Sequence, residues 1–177
     1  MDLFEKTLST ETIYEGKIFK MEKVKVSLPD GKTSERDIVR HNGAVAIIAM
    51  KDDGKVLFVE QFRKTVDEVL FELPAGKLEP NENPEECALR ELEEETGYKA
   101  KTVTFLGKIV MTPGFSDEII HFYYATGLSE GVKSGDEDEF INIHEFDLKE
   151  INEMINNGKI YDSKTVCGIK IFENIIK

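Results

Sequence analysis

The sequence predicts a mixed α/β fold, in which a mixed sheet has helices on both faces and a small antiparallel β extension precedes it. The first observation is the order of the elements, which runs strands, helix, strands and then two helices. The second is the apolar run Ala44–Met50, which suits a strand buried on both faces and is too short to cross a bilayer. The third is the length of 177 residues with 40% hydrophobic content, which is enough for one compact domain. We place the extension at residues 1–41 and the main domain at residues 42–177.

Local patterns predict the individual elements. β-branched and aromatic residues between 11 and 27 predict one or two strands, and Pro29-Asp30-Gly31 turns the chain towards another. Later strands are predicted at 33–40, 44–50, 56–62, 69–73, 102–111, 118–125 and 139–146. Helices are predicted from Asn83 to Gly97, from Asp147 to Gly158, and from Asp162 or Ser163 to the end.

Composition narrows the class of function. Acidic residues outnumber basic ones by 35 to 23, a formal net charge of −12, which argues against nucleic acid as a partner. A phosphorylated substrate remains possible if metal ions lie between the two negative groups. Cys87 and Cys167 form neither a disulfide framework nor a Cys-x-x-Cys pair, and the N-terminus has no apolar signal core. We therefore expect a soluble cytoplasmic protein without a membrane partner.

The helix predicted from Asn83 carries an unusual stack of carboxylates. Glu91 and Glu95 are four residues apart, so their side chains lie one turn above each other, with Glu94 flanking the same side. Beside them, Ala88, Leu89 and Leu92 form a stripe that can pack on a sheet, whereas Glu86 and Glu93 are expected to face water.

Two interpretations of the acidic helix are open. Stacked like charges destabilise a helix, and a hard divalent cation with oxygen ligands removes that repulsion. The alternative is an ordinary solvated acidic face. The capping residues, the glycines and the adjacent Arg90 favour the metal-binding interpretation.

The segment from Gly76 to Tyr98 resembles the Nudix box, Gly-x5-Glu-x7-Arg-Glu-U-x-Glu-Glu-x-Gly-U, where U is aliphatic. Only Tyr98 departs from it, as an aromatic residue at the last apolar position. The resemblance implies an α/β/α sandwich and a loop–helix–loop that holds Mg²⁺ or Mn²⁺. It implies that Glu91 and Glu95 are the principal metal ligands, assisted by Glu94 and the Ala75 carbonyl, and that Arg90 pairs with Glu82.

Further motifs resemble the ADP-ribose pyrophosphatase branch of this family. They are Glu60-Gln61-Phe62-Arg63, Glu72-Leu73-Pro74-Ala75-Gly76, and Pro113 sixteen residues after Gly97.

The branch resemblance implies roles for residues outside the box. Arg36 and Arg63 would clamp the diphosphate, for which a planar guanidinium suits paired oxygens, and Glu118 would contact the terminal ribose. Glu139, or alternatively Glu137, would be the general base or an extra metal ligand, so that the catalytic set is Glu91, Glu95 and Glu139. Surface salt bridges for the arginines and a solvated turn for the acidic loop remain alternatives.

The implied reaction is Mg²⁺-dependent hydrolysis of ADP-ribose to AMP and ribose 5-phosphate. Alternatives are another nucleotide sugar such as GDP-mannose, a catalytically silent nucleotide-binding module, or an acidic scaffold protein. The resemblance also implies a homodimer in which the N-terminal strands help to build the partner's site. Tyr14, Ile18 and Phe19 would sandwich an adenine there, or pack in a core.

Overall fold

The computed structural model describes residues 2–135 and 140–175. The chain divides into two units. The first comprises Met1–Gly43 and Val110–Ile119, and the second comprises Ala44–Ile109 and Ile120–Lys177. Within the part of the chain that is described, no helix is both long and apolar enough to cross a membrane.

The first unit is built on a three-stranded antiparallel sheet of order β1-β2-β3. Its strands are β1 Lys6–Glu15, β2 Lys20–Ser27 and β3 Thr33–Arg40. The turn between β2 and β3 uses Gly31 with a φ of 83°, a left-handed conformation that glycine adopts without strain. Burial alternates along β2 and covers Val24 and Val26, so the strand predicted in this segment is confirmed.

The segment 110–119 belongs to this unit because it hydrogen-bonds to the end of β3. The Val39 N–H donates to the Phe115 carbonyl at 2.7 Å, and the Asp117 N–H donates to the Val39 carbonyl at 3.2 Å. Arg40 adds an ion pair with Asp117 at 3.0 Å. A segment far along the sequence thus completes the N-terminal unit.

The second unit contains the remaining elements, apart from the terminal residues Val110 and Ile119. These elements are β4 Ala44–Ala49, β5 Val56–Arg63, β6 Glu68–Glu72, β7 Ala75–Lys77, α1 Pro84–Thr96, β8 Tyr98–Val110, β9 Ile119–Glu130, β10 Ile141–Phe146, α2 Leu148–Asn156 and α3 Ser163–Ile175. The predicted order of strands and helices is confirmed. Strand β8 begins before its predicted start and β9 continues beyond its predicted end, with Gly127 inside β9 at a φ of 65°.

Two sheets form in the second unit. One has the order β7-β4-β9-β8, in which β4 is antiparallel to β7 and parallel to β9, and the other is the antiparallel sheet β10-β5-β6. Every residue of β4 is buried, as the continuous apolar run predicts. Tyr123 of β9 belongs to the core cluster with α1, whereas the ring of its neighbour Tyr124 packs at a tilt against Phe172 of α3, with 4.8 Å between the ring centroids. Since adjacent strand residues face opposite sides, α1 and α3 cover opposite faces of one mixed sheet, and the α/β/α arrangement is confirmed.

Helix α1 begins and ends where the sequence predicts. The Asn83 side chain accepts a hydrogen bond from the Glu85 N–H at 2.8 Å, and Gly97 ends the helix with a φ of 74°. The predicted stripe is wrong at one position. Leu89 is 38% exposed, and Cys87 is buried instead, because the packed face is centred on Ala88 and Leu92.

Candidate active site

The first feature of the site is a close approach between Glu91 on α1 and Gly76 on β7. A Cβ atom at Gly76 would lie 1.8 Å from Cδ of Glu91, far inside van der Waals contact. Only glycine therefore permits the Glu91 carboxyl group to occupy this position. The first glycine and the first helical glutamate of the predicted motif are thus brought together by packing.

The second feature is the anchoring of Glu95 one turn further along α1. Glu95 is buried, with 4% exposure, and its Oε2 accepts a hydrogen bond from the Ala75 N–H at 3.0 Å. Burying a carboxylate is costly unless hydrogen bonds compensate it. Ala75 and Gly76 of β7 consequently hold two successive carboxylates of the helix.

Arg90 bridges the acidic residues of this segment. Its Nη1 donates to Glu91 Oε1 at 2.7 Å and to Glu94 Oε2 at 2.9 Å. Its Nε and Nη2 hold both oxygens of Glu82, at 2.9 and 3.0 Å. The ion pair expected from the resemblance is present, and the guanidinium also links two carboxylates that were predicted as metal ligands.

These contacts shift the acid–base equilibria of the site. Hydrogen bonds from Arg90 lower the pKa of Glu82 from 4.5 to about 2, and hydrogen bonding to Glu82 raises the pKa of Arg90 above its ordinary value. Burial raises the pKa of the neighbouring Cys87 thiol to about 12. Cys87 is therefore a packing residue, as predicted, and not a thiolate nucleophile at neutral pH.

A second charged cluster surrounds the buried carboxylate of Glu72, at the end of β6. Arg63 donates two hydrogen bonds to Glu72, at 2.7 and 2.8 Å, and Lys164 forms an ion pair with it. Burial raises the pKa of Glu72, but the hydrogen bonds from Arg63 and the charge of Lys164 outweigh burial, and the net shift is downward. Hydrogen bonding to Glu72 raises the pKa of Arg63, with a smaller contribution from the charge of Glu95.

A cavity of about 300 Å³ opens beside this cluster. Its lining includes Arg63, Glu72, Tyr161, Asp162 and Lys164. Arg63, a predicted diphosphate ligand, therefore reaches a concave surface although its guanidinium is paired. The pairing with Glu72 fixes the orientation of the guanidinium.

Glu93, which was expected to face water, is partly exposed and also has protein partners. Its carboxylate accepts a hydrogen bond from the Val132 N–H at 3.1 Å and forms an ion pair with Lys99 at 3.3 Å. The hydrogen bond from Val132, followed by the interaction with Lys99, lowers the pKa of Glu93. Glu93 thereby ties the segment that follows β9 to the C-terminal end of α1.

The other predicted substrate residues lie in the first unit. Arg36 holds both oxygens of Glu5, at 2.6 and 3.0 Å, so the salt bridge considered as its alternative is present. Glu118 lies 3.9 Å from Nδ1 of His41. The predicted base, Glu139, and its alternative, Glu137, lie outside the described residues.

The donor set on α1 fits a hard divalent cation. Glu91, Glu94 and Glu95 offer carboxylate oxygens at helical spacing, and Mg²⁺ prefers such ligands. Gly76 leaves room for the Glu91 carboxyl group, which any side chain at position 76 would displace. In residues 2–135 and 140–175, no three acidic, cysteine or histidine side chains converge as a metal-ligand group, and Arg90 hydrogen-bonds to both Glu91 and Glu94.

Sequence reasoning missed Lys164 and Thr165, which lie near the N-terminal end of α3. Lys164 pairs with Glu72, and the Thr165 hydroxyl accepts a hydrogen bond from the Leu73 N–H at 2.9 Å. Both contacts join positions 92 residues apart. No local motif marks them.

Comparison with known proteins agrees with this geometry. Residues 40–165 match the model of the NUDIX domain. A "Methanol dehydrogenase activator" of Bacillus methanolicus is 48% identical over 171 residues, which cover 96% of this chain and 92% of that protein. An "ADP-ribose pyrophosphatase" of Bacillus subtilis (strain 168) is 45% identical over 173 residues, 97% of this chain and 94% of that protein. The solved structure of an ADP compounds hydrolase has the same fold, with a TM-score of 0.87 and 21% identity over 99% of this chain and 96% of the other.

The chain belongs to the Nudix family of pyrophosphohydrolases. Within the family it falls in the ADP-ribose pyrophosphatase-like branch, as the motifs around Arg63 and Gly76 predict.

Replacing Glu82 by glutamine tests the Arg90 network through pH. Since the pKa of Glu82 is depressed from 4.5 to about 2, its stabilising effect is fully present above pH 4.5 and is lost as the pH falls towards 2. At neutral pH, in EDTA, we expect Glu82→Gln to lower the free energy of unfolding by about 1 kcal/mol, because the pair is only partly shielded from solvent.

The difference in free energy of unfolding between the wild type and Glu82→Gln should shrink as the pH falls from 4.5 towards 2. Urea denaturation at several pH values measures this difference. Glu86→Gln, at an exposed position on α1, controls for the loss of one negative charge. A gap that stays constant with pH contradicts the assignment.

Proposed function

We propose that this protein hydrolyses the diphosphate bond of ADP-ribose, or of a closely related nucleoside diphosphate sugar. Water adds to one phosphorus and the bridging bond breaks, so that ADP-ribose and water yield AMP and ribose 5-phosphate. The observation that carries the proposal is the junction of β7 with α1, where Gly76 admits Glu91 and the Ala75 N–H holds Glu95. The 45% identity to an ADP-ribose pyrophosphatase over nearly the whole chain supports the choice of substrate.

Glu91 and Glu95 would hold the divalent cation, Mg²⁺ or Mn²⁺, with Glu94 and the Ala75 carbonyl as further ligands. When bound, the cation supplies positive charge to the phosphoryl oxygens and lowers the pKa of water. Its charge also makes an anionic substrate acceptable to a chain with a formal charge of −12.

Arg90 has a role in this scheme that follows from its contacts. It pairs with Glu91 and Glu94, so a cation held by these carboxylates would compete with the guanidinium for them. Two nitrogens of Arg90 also hold Glu82, which would keep Arg90 beside the helix with a cation bound. Arg90 thus preserves the acidic cluster in the absence of metal.

Arg63 is our candidate for contact with the diphosphate. Its guanidinium lines the cavity, and Glu72 orients it with two hydrogen bonds. A fixed, planar donor group suits bidentate recognition of phosphate oxygens. Arg36 and Glu118 remain candidates for the substrate on the strength of the branch resemblance.

We assign the general base to Glu139, with Glu137 as the alternative, because the resembling enzymes carry a glutamate on a loop late in the chain. A carboxylate there would accept the proton of the attacking water. The segment that leads to it is tied to α1, since the Ser134 N–H donates to the Glu94 carbonyl at 3.2 Å.

The proposed function is tested with purified protein, Mg²⁺ and a panel that contains ADP-ribose and GDP-mannose, with products separated by anion exchange. We expect AMP and ribose 5-phosphate from ADP-ribose at the highest kcat/KM. Glu95→Gln keeps the size of the side chain but removes its charge, and should lower turnover at saturating Mg²⁺ by at least about 100-fold.

Other outcomes of this assay are equally informative. A higher kcat/KM for GDP-mannose than for ADP-ribose would assign another nucleotide sugar as the substrate. If no substrate is hydrolysed, the protein is better described as a catalytically silent binding module. Turnover of Glu95→Gln close to that of the wild type would contradict its assignment as a metal ligand.

A second role is suggested by the 48% identity to a methanol dehydrogenase activator. We infer that this chain can raise the rate of a methanol dehydrogenase when the two proteins are mixed. The spectrophotometric rate of alcohol oxidation, with and without this protein, measures the effect. We expect activation by the wild type and little by Glu95→Gln if both roles use one site. Absence of activation by the wild type contradicts the second role.

We further infer that the chain is a homodimer joined through its N-terminal sheet. All ten residues of β1 are exposed. Three of them, Leu8, Ile13 and Tyr14, have large apolar side chains that are nevertheless 47–53% exposed. A strand with apolar side chains and a long exposed surface is suited to pairing with another copy.

Analytical ultracentrifugation tests the dimer. We expect a species of two 20.1 kDa chains for the wild type. Ile13→Arg should shift the population towards single chains, because it places a charge in the apolar surface. A wild type that sediments as a single chain at micromolar concentration would exclude this assembly.

A further inference from the structure

The short connection from β6 to β7 is held at three successive residues. The Leu73 N–H donates to the Thr165 hydroxyl at 2.9 Å, the Ile47 N–H donates to the Pro74 carbonyl at 2.8 Å, and the Ala75 N–H donates to Glu95 at 3.0 Å. Leu73 and Pro74 are both buried. The backbone that reaches Glu95 is therefore fixed from three directions.

The hydrogen-bond directions around Thr165 follow from its partners. A backbone N–H can only donate, so the Thr165 oxygen accepts from Leu73 and gives its own hydrogen to Asp162 Oδ2, at 2.6 Å. Asp162 Oδ2 also accepts from the Thr165 N–H at 3.0 Å and from Lys164 at 3.0 Å. Thr165 is fully buried, so water cannot replace its hydroxyl group.

A second contact brings α3 close to the same connection. A Cβ atom at Gly168 would lie 2.8 Å from Leu73 Cδ1 and 2.8 Å from Phe122 Cε1, closer than such atoms can approach. Gly168 follows Thr165 by about one helical turn, on the same face. The helix therefore contacts Leu73 at its backbone through Thr165 and at its side chain through Gly168.

Lys164 links the same turn of α3 to the residue before Leu73. It pairs with the buried Glu72 and also with Asp162. Residues 72 and 73 are thus bound by neighbouring residues of one helical turn.

We propose that Thr165 is a positioning residue for the divalent-cation site, acting through the backbone of Leu73, Pro74 and Ala75 on Glu95. The inference rests on the proposed function, because it takes Glu95 and the Ala75 carbonyl as ligands of that cation. Thr165 itself contacts neither the metal nor the substrate. Its hydroxyl group fixes the position of the backbone that leads into β7, where the Ala75 N–H donates to Glu95.

Thr165→Val tests the proposal, because valine has nearly the same shape but cannot accept from Leu73. Binding of Mn²⁺ to the metal-free protein, without substrate, is measured from the electron paramagnetic resonance signal of free Mn²⁺. We expect the Mn²⁺ affinity of Thr165→Val to fall by roughly 10-fold, and the Mg²⁺ concentration for half-maximal turnover to rise in parallel.

Two matched variants separate positioning from stability. Thr165→Ser keeps the hydroxyl and should restore Mn²⁺ affinity. Ile169→Val removes a methylene from a fully buried residue of the same helix, and should lower the melting temperature in EDTA while leaving Mn²⁺ affinity unchanged. Unchanged Mn²⁺ affinity in Thr165→Val, or an equal loss in Ile169→Val, overturns the proposal.

Thr165→Ala decides the question if Thr165→Val does not fold. It removes the hydroxyl group that accepts from the Leu73 N–H, and it should weaken Mn²⁺ binding in the same direction. Wild-type affinity in Thr165→Ala then overturns the proposal. A wild type that binds Mn²⁺ but does not hydrolyse ADP-ribose refutes the proposed function alone, whereas a wild type without Mn²⁺ binding refutes both.

Discussion

The contact between β7 and α1 is the constraint on which the rest of the site depends. Two consecutive strand residues, Ala75 and Gly76, meet two carboxylates on successive turns of the helix. The contact of Gly76 with Glu91 requires that residue 76 has no side chain, and the contact of Ala75 with Glu95 requires a backbone N–H donor. Because both are short-range, they tolerate little change in the distance between strand and helix. The buried residues Cys87, Ala88 and Leu92, which pack α1 on the sheet, therefore also determine where the acidic side chains lie.

Charge compensation allows this acidic cluster to exist in a chain that is already strongly negative. Arg90 gathers Glu82, Glu91 and Glu94, while Arg63 and Lys164 gather Glu72. Buried or half-buried carboxylates at these distances would otherwise take up protons or separate. The two cationic clusters differ in one respect. Arg90 serves residues of a single helix and its leading loop, whereas the partners of Glu72 come from β5 and from the distant α3.

The relatives of this chain carry two different functional names. The box and the branch motifs occur in a chain that resembles both an ADP-ribose pyrophosphatase and a methanol dehydrogenase activator. Both relatives match almost the whole length, so the N-terminal strands are included in the similarity.

Local sequence determined the elements and the acidic helix. The spacing of Glu91, Glu94 and Glu95, the cap at Asn83 and the end at Gly97 are properties of neighbouring residues, which chain geometry and hydrogen bonding govern directly. The same local reasoning failed at Leu89 and did not find the partners of Glu93, because which side of the helix is covered depends on what packs against it. Tertiary structure alone decided that segment 110–119 joins the N-terminal strands, that Arg36 holds Glu5, and that Thr165 binds the backbone of Leu73. These pairs are separated by tens of residues, and no periodicity or spacing in a single sequence records which distant groups will meet.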